Sequence, residues 1–163
     1  MQIVRSLDEE FARLNARAHA LVRIVPPDKL YWQPRAPTRA VPVYSCGEHL
    51  LRAAACVEQT FGGITANLWD DPFEWTLPET LATPALVAAY LSEVEETRQR
   101  GFALIRDDGD LLKEIAMPSG EMQTLGAILV ATLTRAAHQQ GCAYATFRLF
   151  SDERVEKPVM SDE

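Results

Sequence analysis

The sequence predicts an all-α protein: an antiparallel four-helix bundle with long irregular connections and room for a short fifth helix near its end. Three observations lead there. Four stretches repeat apolar residues at three- and four-residue steps, three of them start on a recognisable cap, and prolines gather between them. Each such helix has an apolar stripe that must be covered by another, and a bundle covers all four.

Residues 7 to 24, "LDEEFARLNARAHALVRI", carry the first pattern, with Ser6 and Glu9 at capping-box spacing. The next segment, "PPDKLYWQPRAPTRAVPVY", holds five of the ten prolines; each removes a backbone donor and restricts its predecessor, so the segment reads as an irregular connection. Tyr31 and Trp32 are expected to pin it to the bundle. The second helix starts after Ser45, with Glu48 three residues on, and runs to Gly62-Gly63. Its apolar line is Cys46, Leu50, Ala54, Val57 and Phe61, and His49, Arg52 and Cys56 share an adjacent flank. "ITANLWDDPFEWTLPETLA" reads as a loop with a short helical turn, its aromatics serving as anchors or cleft walls.

Thr83 caps and Pro84 opens the third helix, "ALVAAYLSEVEETRQRGFALI", which Gly101 weakens near its end. "RDDGDLLKEIAMPSG" reads as a turn plus a short amphipathic piece. The fourth helix takes "EMQTLGAILVATLTRAAHQQ", whose broad apolar surface in "LGAILVATL" predicts the most buried helix. "CAYATFRLF" either continues it past Gly141 as a kinked helix or becomes a short strand, and helix is preferred. One domain is expected over residues 1–155, with 156–163 a flexible tail.

The chain has 163 residues and 47% hydrophobic content, enough for a core without a metal or disulfide staple. Its net charge of -7 argues against nucleic acid or an anionic membrane as partner. Three cysteines, Cys46, Cys56 and Cys142, make no disulfide framework and point to a cytoplasmic location. They read as small buried residues before they read as nucleophiles. No run approaches the length needed to span a bilayer, and the start lacks a signal-peptide pattern. The acidic runs "EVEE" and "DDGD" read as solvated surface and turn chemistry, since their spacing fits neither one helix face nor a calcium loop.

"KLYWQP", "SCGEHLLRAAACVE" and "TLGAILVATLTRAAHQQG", in that order and spacing, resemble the DinB/YfiT-like superfamily of helical bundles, which includes metal-dependent hydrolases and thiol-dependent transferases. The pieces are spread over roughly residues 5 to 150. Metal-binding members place one histidine on the second helix and two on the last, in a pattern like His-x-x-His-His-Arg-Gly-Gln. Carried over, those ligand positions fall on Arg52, Arg135 and Gln139. His138 matches the neighbouring, non-ligating histidine, and Cys142 replaces the terminal glutamine. A guanidinium repels a cation, so the resemblance implies a bundle that has lost its metal site and carries no cofactor. It also implies a homodimer.

Two functional classes follow. In the first, a metal-less bundle acts through an interface or binds a small ligand, anionic ones included, in a cleft formed by His49, Arg52, Cys56, Arg135, His138 and Gln139. There the arginines are either neutralised by Glu48, Glu58 or another acid, or left to meet a carboxylate or phosphate; the remaining option is that they face outward, unrelated. In the second, the chain is an enzyme using a shifted set of ligands, His19, His49 and His138, for zinc or nickel, or a metal-free site of Arg52, Arg135, His138 and Cys56.

Overall fold

Ser45 opens the best-determined element of the fold. Its hydroxyl accepts from the Glu48 backbone at 3.2 Å, while the Glu48 carboxylate accepts from the Ser45 backbone at 2.7 Å, closing a reciprocal capping box. The computed structural model describes residues 2–36, 42–72 and 76–155. Its helices are α1 (Gln2–Ile24), α2 (Cys46–Ala66), α3 (Pro84–Phe102) and α4 (Leu125–Phe147), packed as an all-α bundle. Between α3 and α4 a 3-10 turn at Asp108–Leu112 leads into a two-stranded antiparallel hairpin, β1 (Glu114–Ala116) with β2 (Met122–Thr124).

The helices do not simply alternate in direction. The end of α1 meets the start of α2 where the Gly47 backbone donates to Leu30 O at 2.7 Å, and Tyr31, beside Gly47, donates to Leu81 O just ahead of α3. The starts of α2 and α3 therefore lie at one end. At the other end, Ile64 and Thr65 of α2 line one pocket with Gly101 of α3 and Leu125 of α4. So α1 runs up, α2 and α3 run down, and α4 runs up, which corrects the expectation of an all-antiparallel bundle. Two helices in a row can share a direction only if the chain between them returns the full length of the bundle, from Asn67 at the end of α2 to Thr83 at the start of α3.

The core is continuous: Phe11, Leu21, Leu50, Leu51, Phe61, Val87, Leu129 and Phe147 are all buried. The five residues expected on the inner line of α2 are buried too. Gly101 is small because Phe61 needs the room; a Cβ there would collide with its ring. Phe11, Phe61 and Phe102 meet around that point with centroids 5.3 to 5.7 Å apart. Among the described residues no helix is long and apolar enough to cross a membrane.

Several boundaries differ from the sequence reading. α1 begins at Gln2, not after Ser6; the Ser6 hydroxyl donates back to Gln2 O, and Glu9 pairs with Arg5 and Arg13 instead of closing a box. The stretch read as an amphipathic piece is the hairpin, turned at Gly120 with φ of 84°. That hairpin takes residues 122–124 away from the expected start of the last helix, which Thr124 caps. The preferred reading of "CAYATFRLF" holds, since α4 continues past Gly141 to Phe147 and neither a separate fifth helix nor a strand forms there, but α2 and not α4 carries the most buried residues. Trp32 does anchor the first connection, edge-on to Phe150 with centroids 5.6 Å apart. Phe73, Glu74 and Trp75 of the aromatic loop, residues 37–41 of the proline-rich connection and the tail at 156–163 lie outside the described residues.

Candidate functional site

α2 and α4 pack more extensively on each other than any other pair, antiparallel, and the sequence explains why they come close. Between them lie Ala53, Ala55 and Ala136, with Thr60 and Thr132 joined hydroxyl to hydroxyl at 2.7 Å in the buried seam. The Thr132 hydroxyl also donates to Ile128 O at 2.9 Å, so Thr60 is the donor in the pair and both groups are satisfied.

Towards solvent this seam opens into a cleft of about 460 Å³ lined by Arg52, Ala55, Cys56, Gln59, Asp71, Thr134, Arg135, His138 and Gln139. Five of the six residues anticipated for a cleft are on its wall. The sixth, His49, borders it: its Nδ1 meets the Gln139 side-chain oxygen at 2.8 Å, which puts the ring proton on Nδ1. Arg52, Arg135 and Gln139, distant in sequence, line the same space.

Sequence reasoning missed two members. Tyr44, just before the Ser45 cap, lies under the Arg52 guanidinium at 3.9 Å and edge-on to His49 at 5.5 Å, so one aromatic ring orients both side chains. Asp71 arrives on the returning connection, which is held against α2 by Gln59 donating to Trp69 O at 2.8 Å and by the Trp69 ring lying over Gly63. Of the acids named for neutralising the arginines, Glu48 and Glu58 have partners of their own. Glu48 closes the α2 cap, and the Glu58 carboxylate accepts from the Tyr90 hydroxyl at 2.5 Å.

Cys56 faces the cleft but is poorly suited to nucleophilic work. Burial pushes its thiol up to about 11; Arg135 pulls it down and Asp71 raises it, without reversing the effect of burial. At neutral pH the group is a thiol that donates to Ala53 O at 3.1 Å. Cys46 is fully buried and held up to about 12. Cys142 sits one turn past His138, with Sγ 3.8 Å from Nε2.

The three histidines of the shifted-ligand alternative do not converge. His19 is on α1, within the field of Arg23 and of Glu95 from α3, while His49 turns to Gln139 and His138 to Cys142 one turn further along α4. Among the described residues no group of three His, Cys, Asp or Glu side chains is placed to hold a metal ion. That alternative is therefore corrected: one histidine on each of three helices does not make a site unless the helix faces coincide. A smaller void of about 40 Å³ lies in the core, with mostly apolar walls that include Phe11, Leu50, Ala54, Leu91 and Ala136.

No family model, curated protein or solved structure matches this chain. What it is for must be argued from the cleft.

Proposed function

We propose that this chain is a divergent DinB/YfiT-like protein without the family's metal site, and that its α2–α4 cleft binds a small carboxylate or phosphate. The observation carrying the reading is the composition of the cleft wall. In a chain of net charge -7, the described residues of this surface gather two guanidiniums and the donors of Gln59, Thr134, His138 and Gln139, with Asp71 as the carboxylate among them. Planar guanidiniums match a two-oxygen anion, and Tyr44 holds one of them in place beforehand. Support for the family comes from position: the three residues that the resemblance puts at ligand positions, Arg52, Arg135 and Gln139, line one space.

Binding here recognises and holds; it does not imply turnover. The thiol that could attack is protonated, and the arginines stabilise negative charge instead of generating a nucleophile. Asp71 competes with the ligand for the same cations.

Titration of the labelled protein with inorganic phosphate and with a short dicarboxylate, followed by NMR, tests this. Shifts should centre on Arg135, His138 and Gln139. Arg135→Gln should weaken binding, and Asp71→Asn should strengthen it by removing the competing carboxylate. Absence of any shift in the cleft up to about 10 mM of either anion, where even a millimolar complex is formed, would overturn the proposal.

A further inference from the structure

The cleft between α2 and α4 carries a charge pattern along its length, and that pattern narrows the class of anion it holds. Two hydrogen bonds set the register of the flanking helices: His49 is level with Gln139, joined at 2.8 Å, and Thr60 with Thr132, joined at 2.7 Å. Between those ties Arg52 falls level with His138, and Arg135 falls level with Cys56, one turn or about 5 Å further along α2. The two arginines are rooted in file along the cleft.

Asp71 has a place of its own. The connection that brings it is clamped to α2 by Gln59 donating to Trp69 O at 2.8 Å, and by the Trp69 ring, which packs so closely on Gly63 that a Cβ there would strike it. Because that connection heads back towards the start of α2, Asp71 comes in beyond Trp69, on the side of Cys56 and Arg135. Its charge and that of Arg135 both reach the Cys56 thiol, with opposite sign. Along the wall the order is Arg52, then Arg135 with Asp71 beside it.

A ligand gains most when its charges repeat that order with the signs reversed. A plain dicarboxylate satisfies the arginines but brings negative charge up against Asp71. An ammonium next to one of its carboxylates turns that repulsion into an ion pair. In an α-amino acid the carboxylate and the ammonium share one carbon, so they are neighbours as Arg135 and Asp71 are, and a second carboxylate a few carbons away reaches the next turn of α2. The cleft, at about 460 Å³, is in the range of small-molecule sites, with room for a body as well as a charged head.

We propose that the ligand of this cleft is an α-amino dicarboxylate, with its α-carboxylate on Arg135, its α-ammonium on Asp71 and its distal carboxylate on Arg52, whose guanidinium Tyr44 holds at 3.9 Å. This ligand presupposes the anion site proposed above and adds a cationic group to it. Among the described residues of the wall, two guanidiniums and one carboxylate leave one positive charge; two carboxylates and one ammonium leave one negative. Asp71 changes role with the ligand. It competes with plain anions and recruits amino-bearing ones, so a single carboxylate sets the selectivity between them.

Three probes that differ by one group each test this: L-glutamate, glutarate, which lacks the ammonium, and L-glutamine, which lacks the distal charge. In NMR titrations of the full labelled chain, glutamate should bind about 5-fold more tightly than either of the others. Asp71→Asn should reverse the first preference, weakening glutamate by about 5-fold while strengthening glutarate. Arg52→Gln should remove the second, bringing glutamate down to the level of glutamine, whose own affinity stays as it was; Arg52→Lys, which keeps the charge, should retain a preference for glutamate. Circular dichroism of each variant should match the native chain. Glutarate or phosphate binding with no gain from the ammonium, or glutamate and glutarate moving in the same direction in Asp71→Asn, would overturn this inference and leave the anion site standing. No cleft shift with any of these anions would overturn both.

Discussion

At the scale of single residues, burial decides which groups can react. Cys46 and Cys56 sit among alanines and leucines, and their thiols are held up to about 12 and about 11 from an ordinary value of 9.0; burial raises Tyr31 to about 12, with Glu48 adding to it. A group whose folded pKa is raised contributes stability that is intact below its unfolded pKa and is lost as pH climbs through the folded one. The protein should thus lose stability from about pH 9 upward, and urea unfolding at stepped alkaline pH will show it. His19 works in the opposite direction. Burial, and then Arg23, lower its pKa, so the fold favours the neutral ring, and stability should fall as pH drops through 6.5. In the α2–α4 seam the two threonines are not equivalent. Thr132→Val leaves the Thr60 hydroxyl buried without an acceptor, costing about 1–3 kcal/mol, whereas Thr60→Val leaves Thr132 still bonded to Ile128 O and costs about 1 kcal/mol. Equal losses in chemical denaturation would contradict this donor assignment.

At the scale of elements, legibility depended on how local the determinants are. α2 could be read from Ser45, Glu48 and the period of its apolar residues because cap and stripe are properties of neighbours in sequence. Removing the cap hydroxyl in Ser45→Ala should cost about 1–2 kcal/mol, seen as a lower urea midpoint with unchanged slope, and Ser45→Gly should cost less. The same signal misled at α1. Ser6 and Glu9 have the spacing of a box, but residues 2 to 5 continue the helix, and the Val4 backbone donates to Asp108 at 3.0 Å, a tie from 104 residues away that no local pattern shows. The hairpin was missed because strands of three residues are too short to display a period of two; the turn chemistry that was legible, in "DDGD", belongs to the 3-10 turn ahead of it, which Asp107 caps. Gly101 was read as a weak point of α3, whereas it is a packing requirement. Gly101→Ala should therefore destabilise despite alanine's better helix propensity, by about 1–3 kcal/mol, because Phe61 must move.

At the scale of the whole molecule, the cleft depends on direction and return. Because α2 and α3 run the same way, the chain between them must travel back along the bundle, and that path delivers Asp71 to a wall otherwise built from α2 and α4. The two helix contributions were legible only through the resemblance, whose ligand positions, counted from Ser45 and Gly141, fall on Arg52, Arg135 and Gln139. Asp71 and Tyr44 were not, because they come from segments with no periodicity to count on. If the cleft is an altered metal site, its backbone should still suit one. Arg52→His, Arg135→His and Gln139→His together replace two repelling cations and a neutral amide by three imidazoles, the ligand set suited to zinc or nickel. Calorimetry should find the triple variant binding either ion markedly more tightly than the native chain, with tightening as pH rises through the histidine range and protons leave the ligands. Asp71 is placed to help, since a carboxylate beside imidazole ligands either completes the coordination or orients a ring, and adding Asp71→Asn should weaken the gained site. The sign of that last change separates the two uses of one wall: Asp71→Asn should strengthen an anion held by the native arginines and weaken a cation held by the substituted histidines. A triple variant that gains no affinity would mean that the three positions share the cleft without sharing a focus, and the relation to the metal-binding bundles would lose its main support.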